Sequence, residues 1–362
     1  MLRPRENDAE NGNRRAFPSP GKPAFILRCG HVKNIRVGVI GVGYLGFFHA
    51  QKYAAMDGAD LVGVADIDPL RAEEVAQKCG TRAFTGYAKL LEEVDAVSIV
   101  VPTVSHHEVA AACLDHGVDV LVEKPITTTV EEADDLIARA EKGGRILQVG
   151  HLERFNPAVM AMKPLLTHPL FIEAHRISVF KDRGTDVDVV LDLMIHDIDI
   201  ILSIVDASLT TIHTVGAPVV TPLTDIANAR LIFENGCTAN VTVSRISLDN
   251  IRRMRIFQPG MYLSVDFVKK EVMSIRLKKD DSSMYPVPDI RKQGFEEQDT
   301  LELELRDFIA NVRDRSKPLV SGHEGRRALD VALQVVRQIN ANRVRVEQML
   351  ASQPDLSPPD LS

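Results

Sequence analysis

The sequence has no tryptophan, and aromatic residues make up only 5% of its 362 positions. Base-stacking surfaces for nucleic acid are built from such rings, so the chain is poorly equipped for one. Basic residues do not dominate: 43 Lys and Arg stand against 50 Asp and Glu, a formal net charge of −7. That balance gives no broad cationic field and argues against nucleic acid or an anionic membrane as the main partner. Cysteine is scarce. Cys29, Cys79, Cys113 and Cys237 are scattered, with no C-x-x-C pair and no disulfide-like spacing. Reduced, mostly buried thiols in a cytoplasmic protein are expected. No run of 18 apolar residues occurs, so no transmembrane helix is expected. Arg3 and Arg5 precede Glu6, Asp8 and Glu10 without an apolar stretch, which does not read as a secretory signal.

The length exceeds what one ordinary core supports, so two domains are expected. Residues 1–33 are polar and read as a disordered extension; 351–362 carry three prolines and read as a tail. From 34 to 150, apolar runs alternate strictly with helical patterns: Ile35–Ile40, Asp60–Ala65, Ala96–Val101, Val118–Val122 and Arg145–Gly150 are the predicted strands. This alternation predicts a doubly wound parallel sheet, a Rossmann domain. From 151 to 324 the pattern predicts an α+β domain: one apolar helix near 190–205, then strands in a large, mostly antiparallel open sheet. A final helix is predicted over 325–350.

The first strand runs into Gly41-Val-Gly43-Tyr44-Leu45-Gly46, and a helix follows. Gly41 permits the tight turn, Gly43 lets the backbone approach a pyrophosphate, and Gly46 allows close helix–strand packing. The helix N-terminus offers free N–H groups to phosphate. Asp66 closes the second strand, twenty residues after Gly46. Its carboxylate suits ribose hydroxyls and repels a 2′-phosphate, which favours NAD over NADP, although Arg71 nearby could relax that preference.

Two later strand ends face the same crevice. Val101-Pro102-Thr103 alone reads as punctuation, with His106 and His107 as surface residues at a helix start. Glu123-Lys124-Pro125 places a lysine at the carboxyl edge, where it can hydrogen-bond a substrate hydroxyl and stabilise an alkoxide. A solvated surface cation is the plainer reading of a single lysine. In the apolar helix, Asp192, His196, Asp199 and Ser203 fall on one stripe. Acids and a histidine, without the Lys and Glu of an ordinary exposed face, suggest a wet cavity. His196 is the natural general base, with Asp192 one turn earlier to hold its ring. A salt-bridged surface histidine is the alternative. Two acids and one histidine make a poor zinc site, so no metal is expected.

Together these residues resemble the Gfo/Idh/MocA family of oxidoreductases over about Asn34 to Ile339. The matching pieces are the glycine loop, Asp66, the corner from Pro102 to His106, Glu123-Lys124-Pro125, Asp192-x-x-x-His196 and Pro318-Leu-Val-Ser-Gly-His-Glu-Gly325. The resemblance implies NAD held by Gly41, Gly43, Tyr44, Leu45, Gly46, Asp66, Pro102, Thr103, His106, Glu123 and Lys124. It implies catalysis by Lys124, Asp192 and His196. Met194 stands where the family often has glycine, which touches pocket shape more than chemistry.

Gly150-His-Leu-Glu-Arg-Phe-Asn-Pro157 is similar to members that act on nucleotide-linked amino sugars in lipopolysaccharide synthesis. That implies UDP-N-acetylglucosamine as the small-molecule substrate, oxidised at the 3-hydroxyl for later transamination. Glu153, Arg154 and Asn156 would then line the pocket mouth, with Arg154 on the diphosphate. The alternative is a linking segment in which Arg154 makes a structural ion pair. A homo-oligomer, dimer or tetramer, would suit an open sheet. Two other functions stay open: a dehydrogenase of a free polyol, inositol or aldose, and a dinucleotide-sensing regulator.

Overall fold

The computed structural model describes residues 34–180, 187–279, 285–295 and 298–351. The expected extension over 1–33 and the tail beyond 351 lie outside these residues. β1 (Ile35–Ile40), β2 (Ala59–Asp66), β3 (Arg82–Thr85), β4 (Ala96–Ile99), β5 (Asp119–Glu123) and β6 (Leu147–Gly150) form one parallel sheet in the order β3-β2-β1-β4-β5-β6. Helices α1 (Tyr44–Ala54), α2 (Pro69–Cys79), α3 (Ala88–Leu91), α4 (His106–Asp115) and α5 (Val130–Gly143) connect them. Every residue of β4, β5 and β6 is buried, as expected for strands covered on both faces. The strand order reverses direction between β1 and β4. That switch point opens a crevice at the carboxyl ends of the strands.

The second domain is an eight-stranded sheet with helices on one face. It contains α6 (Pro157–Met162), β7 (Phe171–Val179), α7 (Ile195–Ile204), β8 (Leu209–Ala217), β9 (Ile226–Phe233), β10 (Thr238–Ser247), β11 (Ile251–Gln258), β12 (Met261–Asp266), β13 (Glu271–Lys278) and β14 (Val287–Gly294). The order is β14-β13-β12-β11-β7-β10-β9-β8, antiparallel except for the β7–β10 pair. Ile172, Ala174, Val241, Val243, Met254 and Ile256 point from the sheet into one core with Ile195, Ile198 and Ile201 of α7.

Two differences from the sequence expectation matter for the site. α8 (Thr300–Asp314) falls within 151–324, yet it covers the first sheet, not the second. Leu305, Phe308, Ile309 and Val312 sit at helical spacing and pack with Val37, Val39, Tyr53 and Val64. Leu301, Leu303 and Leu305 alternate, which masks that helical period in the sequence. The last helix, α9 (Gly322–Ala351), starts three residues before the predicted 325 and serves both domains. Leu329 belongs to the core of the first sheet; Ala328, Ala332 and Val335 belong to the second. Among the described residues, no helix is long and apolar enough to cross a membrane.

Candidate active site

The glycine loop has the geometry its sequence calls for. Gly41 has φ +84°, and a Cβ there would meet the Val100 carbonyl at 2.7 Å. A Cβ on Gly46 would stand 1.9 Å from the Gly41 carbonyl oxygen, so α1 and the loop touch backbone to backbone. Gly43 caps α1 without a side chain. A Cβ at that position would meet only Arg71 Nη1, at 3.9 Å. Tyr44 is exposed and Leu45 half-buried on the first turn, and both leave the end of the helix open. The Asp66 carboxylate accepts from the N–H of Val42 at 2.8 Å and of Asp68 at 3.0 Å, which pins it at the loop rim. Free N–H groups over a glycine cradle, with a fixed carboxylate beside them, fit a dinucleotide. Arg71 reaches the same rim.

The next corner departs from expectation. Pro102 is exposed and Thr103 half-buried, but His106 is not a surface residue; it is 1% exposed. Its ring nitrogens lie 2.8 Å from the Pro125 carbonyl oxygen and 2.9 Å from that of Val101. His106 therefore ties the end of β4 to the segment after β5. Burial pushes its pKa down against those carbonyl contacts. Glu123 also points inward, 6% exposed, with His49 Nε2 at 3.2 Å and the Lys124 N–H at 3.2 Å. Burial raises the Glu123 carboxyl, but His49 and Lys124 together hold it below the usual value. The Glu123 carboxylate accepts from the backbone N–H of the lysine.

Lys124 and Asp192 meet across the two domains. Lys124 Nζ donates to the Asp192 carbonyl at 2.7 Å and to its carboxylate at 3.3 Å. The helix widens into a π turn over Val190–Met194, and Asp192 falls on it. Asp192 is thus the partner of the lysine; among the described residues no hydrogen bond links it to His196. His196 is half-buried, and its Nδ1 is sealed from solvent with no hydrogen-bond partner among the described residues. Burial first, then the charges of Lys124, Arg176, His151 and Arg252, hold its pKa well below 6.5. That shift favours the neutral, proton-accepting ring. The rest of the stripe is internal: Asp199 pairs with Arg154 and the Ser203 hydroxyl donates to the Ile200 carbonyl.

The segment after β6, expected at a pocket mouth, is largely buried: Glu153, Arg154 and Asn156 are each at most 7% exposed. Arg154 is 5% exposed and donates to Asp199 at 3.2 Å and to the Leu319 carbonyl at 3.4 Å. It is held in an ion pair with Asp199, and both residues border a groove between α7, β8 and α9. Asn156 caps α6 through Ala158 N–H, and its amide donates to Phe267 and Glu153. Glu153 accepts from Arg176 at 2.8 Å. Arg176, on the inner face of β7, also grips Asp197 with two bonds, at 2.8 and 3.1 Å. Burial would lower the Arg176 pKa, but the two carboxylates more than offset that and keep it charged. The sequence reading missed Arg252, which stands opposite Arg176 in the β7–β11 register. Its guanidinium is 3.9 Å from Glu153 and half exposed, and its charge is felt at His196. Among the described residues, no group of three or more His, Cys, Asp or Glu side chains is placed to hold a metal.

A dinucleotide cradle, a lysine at the strand edge and a neutral histidine beside it define a dehydrogenase site. Known proteins agree. The profile of the oxidoreductase family named for Gfo, Idh and MocA, an NAD-binding Rossmann fold, matches residues 35–151. UDP-N-acetylglucosamine 3-dehydrogenase of Acidithiobacillus ferrooxidans is 40% identical over 321 residues, covering 88% of this chain and 99% of that protein. Its solved structure aligns with a TM-score of 0.79 over 85% of this chain and 98% of that one. The scyllo-inositol 2-dehydrogenase (NAD(+)) of Bacillus subtilis is 28% identical over 83% of this chain and 92% of that protein. A levoglucosan dehydrogenase solved with NADH shares the fold alone, at 18% identity and a TM-score of 0.77 over 85% and 98% of the two chains. The chain belongs to the Gfo/Idh/MocA family of NAD-binding oxidoreductases.

Proposed function

We propose that the protein oxidises the 3-hydroxyl of UDP-N-acetylglucosamine with NAD+, yielding a 3-keto sugar for later transamination toward a lipopolysaccharide precursor. One observation carries the reaction class: Lys124 lies 68 residues from Asp192 in sequence, yet it meets Asp192 and is felt at His196 at the carboxyl edge of the nucleotide sheet. The substrate follows from end-to-end similarity to the 3-dehydrogenase. The loop Gly41–Gly46 and Asp66 would hold NAD, which when bound supplies the hydride acceptor. His196 takes the hydroxyl proton on Nε2, since Nδ1 is sealed. Lys124, steadied by Asp192, donates to the same oxygen and stabilises charge on it. Arg252 is the better placed cation for the diphosphate, because its side chain is half exposed whereas that of Arg154 is buried against Asp199.

A homo-oligomer, dimer or tetramer, is part of this reading. Phe171, Phe257, Tyr262, Ile275 and Ile290 are paired in register and form an apolar row across the uncovered sheet face. A cytoplasmic setting suits the thiols: burial pushes Cys237 up to about 11 and Cys113 up to about 12, and Cys79, Cys113 and Cys237 are unpaired. The test is NADH formation from NAD+ and UDP-N-acetylglucosamine, with an aminotransferase and glutamate to remove the ketone. NADH that appears only with the nucleotide sugar supports the reading. NADH from free inositol or an aldose instead would move the substrate to that class.

A further inference from the structure

A second histidine stands behind His196. His151 follows β6, is 1% exposed, and has no hydrogen-bond partner on either ring nitrogen among the described residues. A buried imidazole with both nitrogens idle is costly, and such a group calls for an explanation. Its ring meets that of His196 edge to face, with centroids 6.3 Å apart and planes at 87°. The sealed Nδ1 of His196 is the third unpartnered nitrogen of this pair.

The charge of Asp199 is felt at His151. Asp199 sits one turn after His196 on the same side of α7. Arg154, from the short turn that His151 opens, holds it at 3.2 Å. Asp199 and Arg154 border a groove of about 1450 Å³ between α7, β8 and α9, whose walls include none of Lys124, Asp192 or His196. The three groups thus lead from the reacting edge to a separate opening.

We propose that His151 relays the proton taken up by His196 to Asp199, which releases it to water in this groove. The inference rests on the dehydrogenase reading above. The substrate O–H bond breaks as Nε2–H forms on His196, and the Nδ1 proton leaves toward His151, with one water able to span the two rings. The other His151 nitrogen passes a proton to the Asp199 carboxylate. The substrate C–H electron pair leaves as hydride to the nicotinamide, so the alcohol loses one hydride and one proton and becomes a ketone.

The surrounding charges favour onward transfer. His196 is held low by burial and by Lys124, Arg176, His151 and Arg252, so a proton does not rest there. His151 is lowered by burial and by Lys124 and Arg154, while Asp199 and Glu123 draw a proton toward it. Lys163 also faces Arg154 and Asp199 from the turn after α6.

The test uses the NAD-loaded enzyme and the variants His151→Asn and His151→Phe. The expected result is a kcat lower by about 10–100-fold, unchanged KM for both substrates, a larger solvent deuterium isotope effect and partial rescue by added imidazole. A kcat loss with no isotope change and no rescue would make His151 a packing residue and overturn the relay. A substrate-free readout separates this inference from the substrate assignment. In 13C-histidine-labelled, NAD-bound protein, His151→Asn should move the His196 titration midpoint upward. An unmoved midpoint overturns the relay even where no sugar is turned over. If both variants unfold, the wild-type protein decides: coupled titration of the two rings supports the relay, and independent midpoints overturn it.

Discussion

Lys124 Nζ is bound to both the backbone and the side chain of Asp192, at 2.7 and 3.3 Å, and this contact joins the edge of the nucleotide sheet to the segment that leads into α7. The carboxylate's hydrogen bond is to the lysine, and on the proposed reading it acts there and not on His196. Asp192→Asn should keep the carbonyl contact but weaken the ion pair. We expect kcat to fall by about tenfold, the acid limb of the pH profile to stay in place, and NAD affinity to hold. Lys124→Met should cost about 10²–10³ in kcat. Steady-state kinetics check both, and a shifted acid limb in Asp192→Asn would return the carboxylate to His196.

The His196 pKa sets a second expectation. Burial and four neighbouring charged or polar groups hold it well below 6.5, so the neutral, proton-accepting ring persists into acid. The acid limb of kcat/KM should fall below that ordinary value. Arg252→Gln removes one of the cations and should move the limb upward. The same variant should raise KM for the nucleotide sugar by about tenfold or more if Arg252 meets the diphosphate. A pH–rate series on both proteins checks this, and a limb at or above 6.5 in the wild type would remove His196 as the base.

Glu304 on α8 is fully buried, and neither carboxyl oxygen has a hydrogen-bond partner among the described residues. Burial first, then the neighbouring carboxylates Glu123, Asp307 and Asp199, raise its pKa well above 4.5. The folded protein holds this proton after the unfolded chain has released it. Its contribution to stability is present below 4.5 and is lost as pH rises toward the folded value. Glu304→Gln removes the loss. Its Tm should exceed that of the wild type at pH 8 by on the order of 2–4 °C, and the gain should vanish as pH falls to 4.5. Melting curves at three pH values decide it; a gain that grows in acid would contradict the sign.

What the sequence made legible follows local rules. The glycine loop could be read because Gly41 needs positive φ and Gly46 has no room for a Cβ. The buried strands β4 and β5 could be read because a parallel sheet demands unbroken apolar runs. β7 could not, because Arg176 occupies an inward position and breaks its alternation. α8 hides behind alternating leucines, and its partner is a sheet that lies more than 200 residues earlier in the chain for most contacts. In the site, residue types were legible but pairings were not. Asp192 reads as one turn from His196, yet a π turn and a lysine from another domain claim it. Glu153, Arg154 and Asn156 read as a polar mouth because nothing local reveals the long-range partners Arg176, Asp199 and Phe267.

Arg176 shows what those partners are worth. Its guanidinium is 2% exposed, holds Asp197 with two bonds and Glu153 with a third, and lies 5.4 Å from the Phe267 ring. Removing one member of a buried ion network strands the others, at a cost of about 3–5 kcal/mol. Arg176→Met should therefore destabilise the protein by about that much, since Asp197 is left in the core without its cation and Glu153 keeps, among the described residues, only the half-exposed Arg252 at 3.9 Å. The triple change Arg176→Met, Glu153→Gln, Asp197→Asn should recover most of the loss, because no charge is then left unpaired. Equilibrium denaturation of the three proteins checks both steps. If the single variant is as stable as the wild type, the network is not holding β7 to α7; if the triple variant is no better than the single one, the loss comes from packing of the arginine and not from stranded charge.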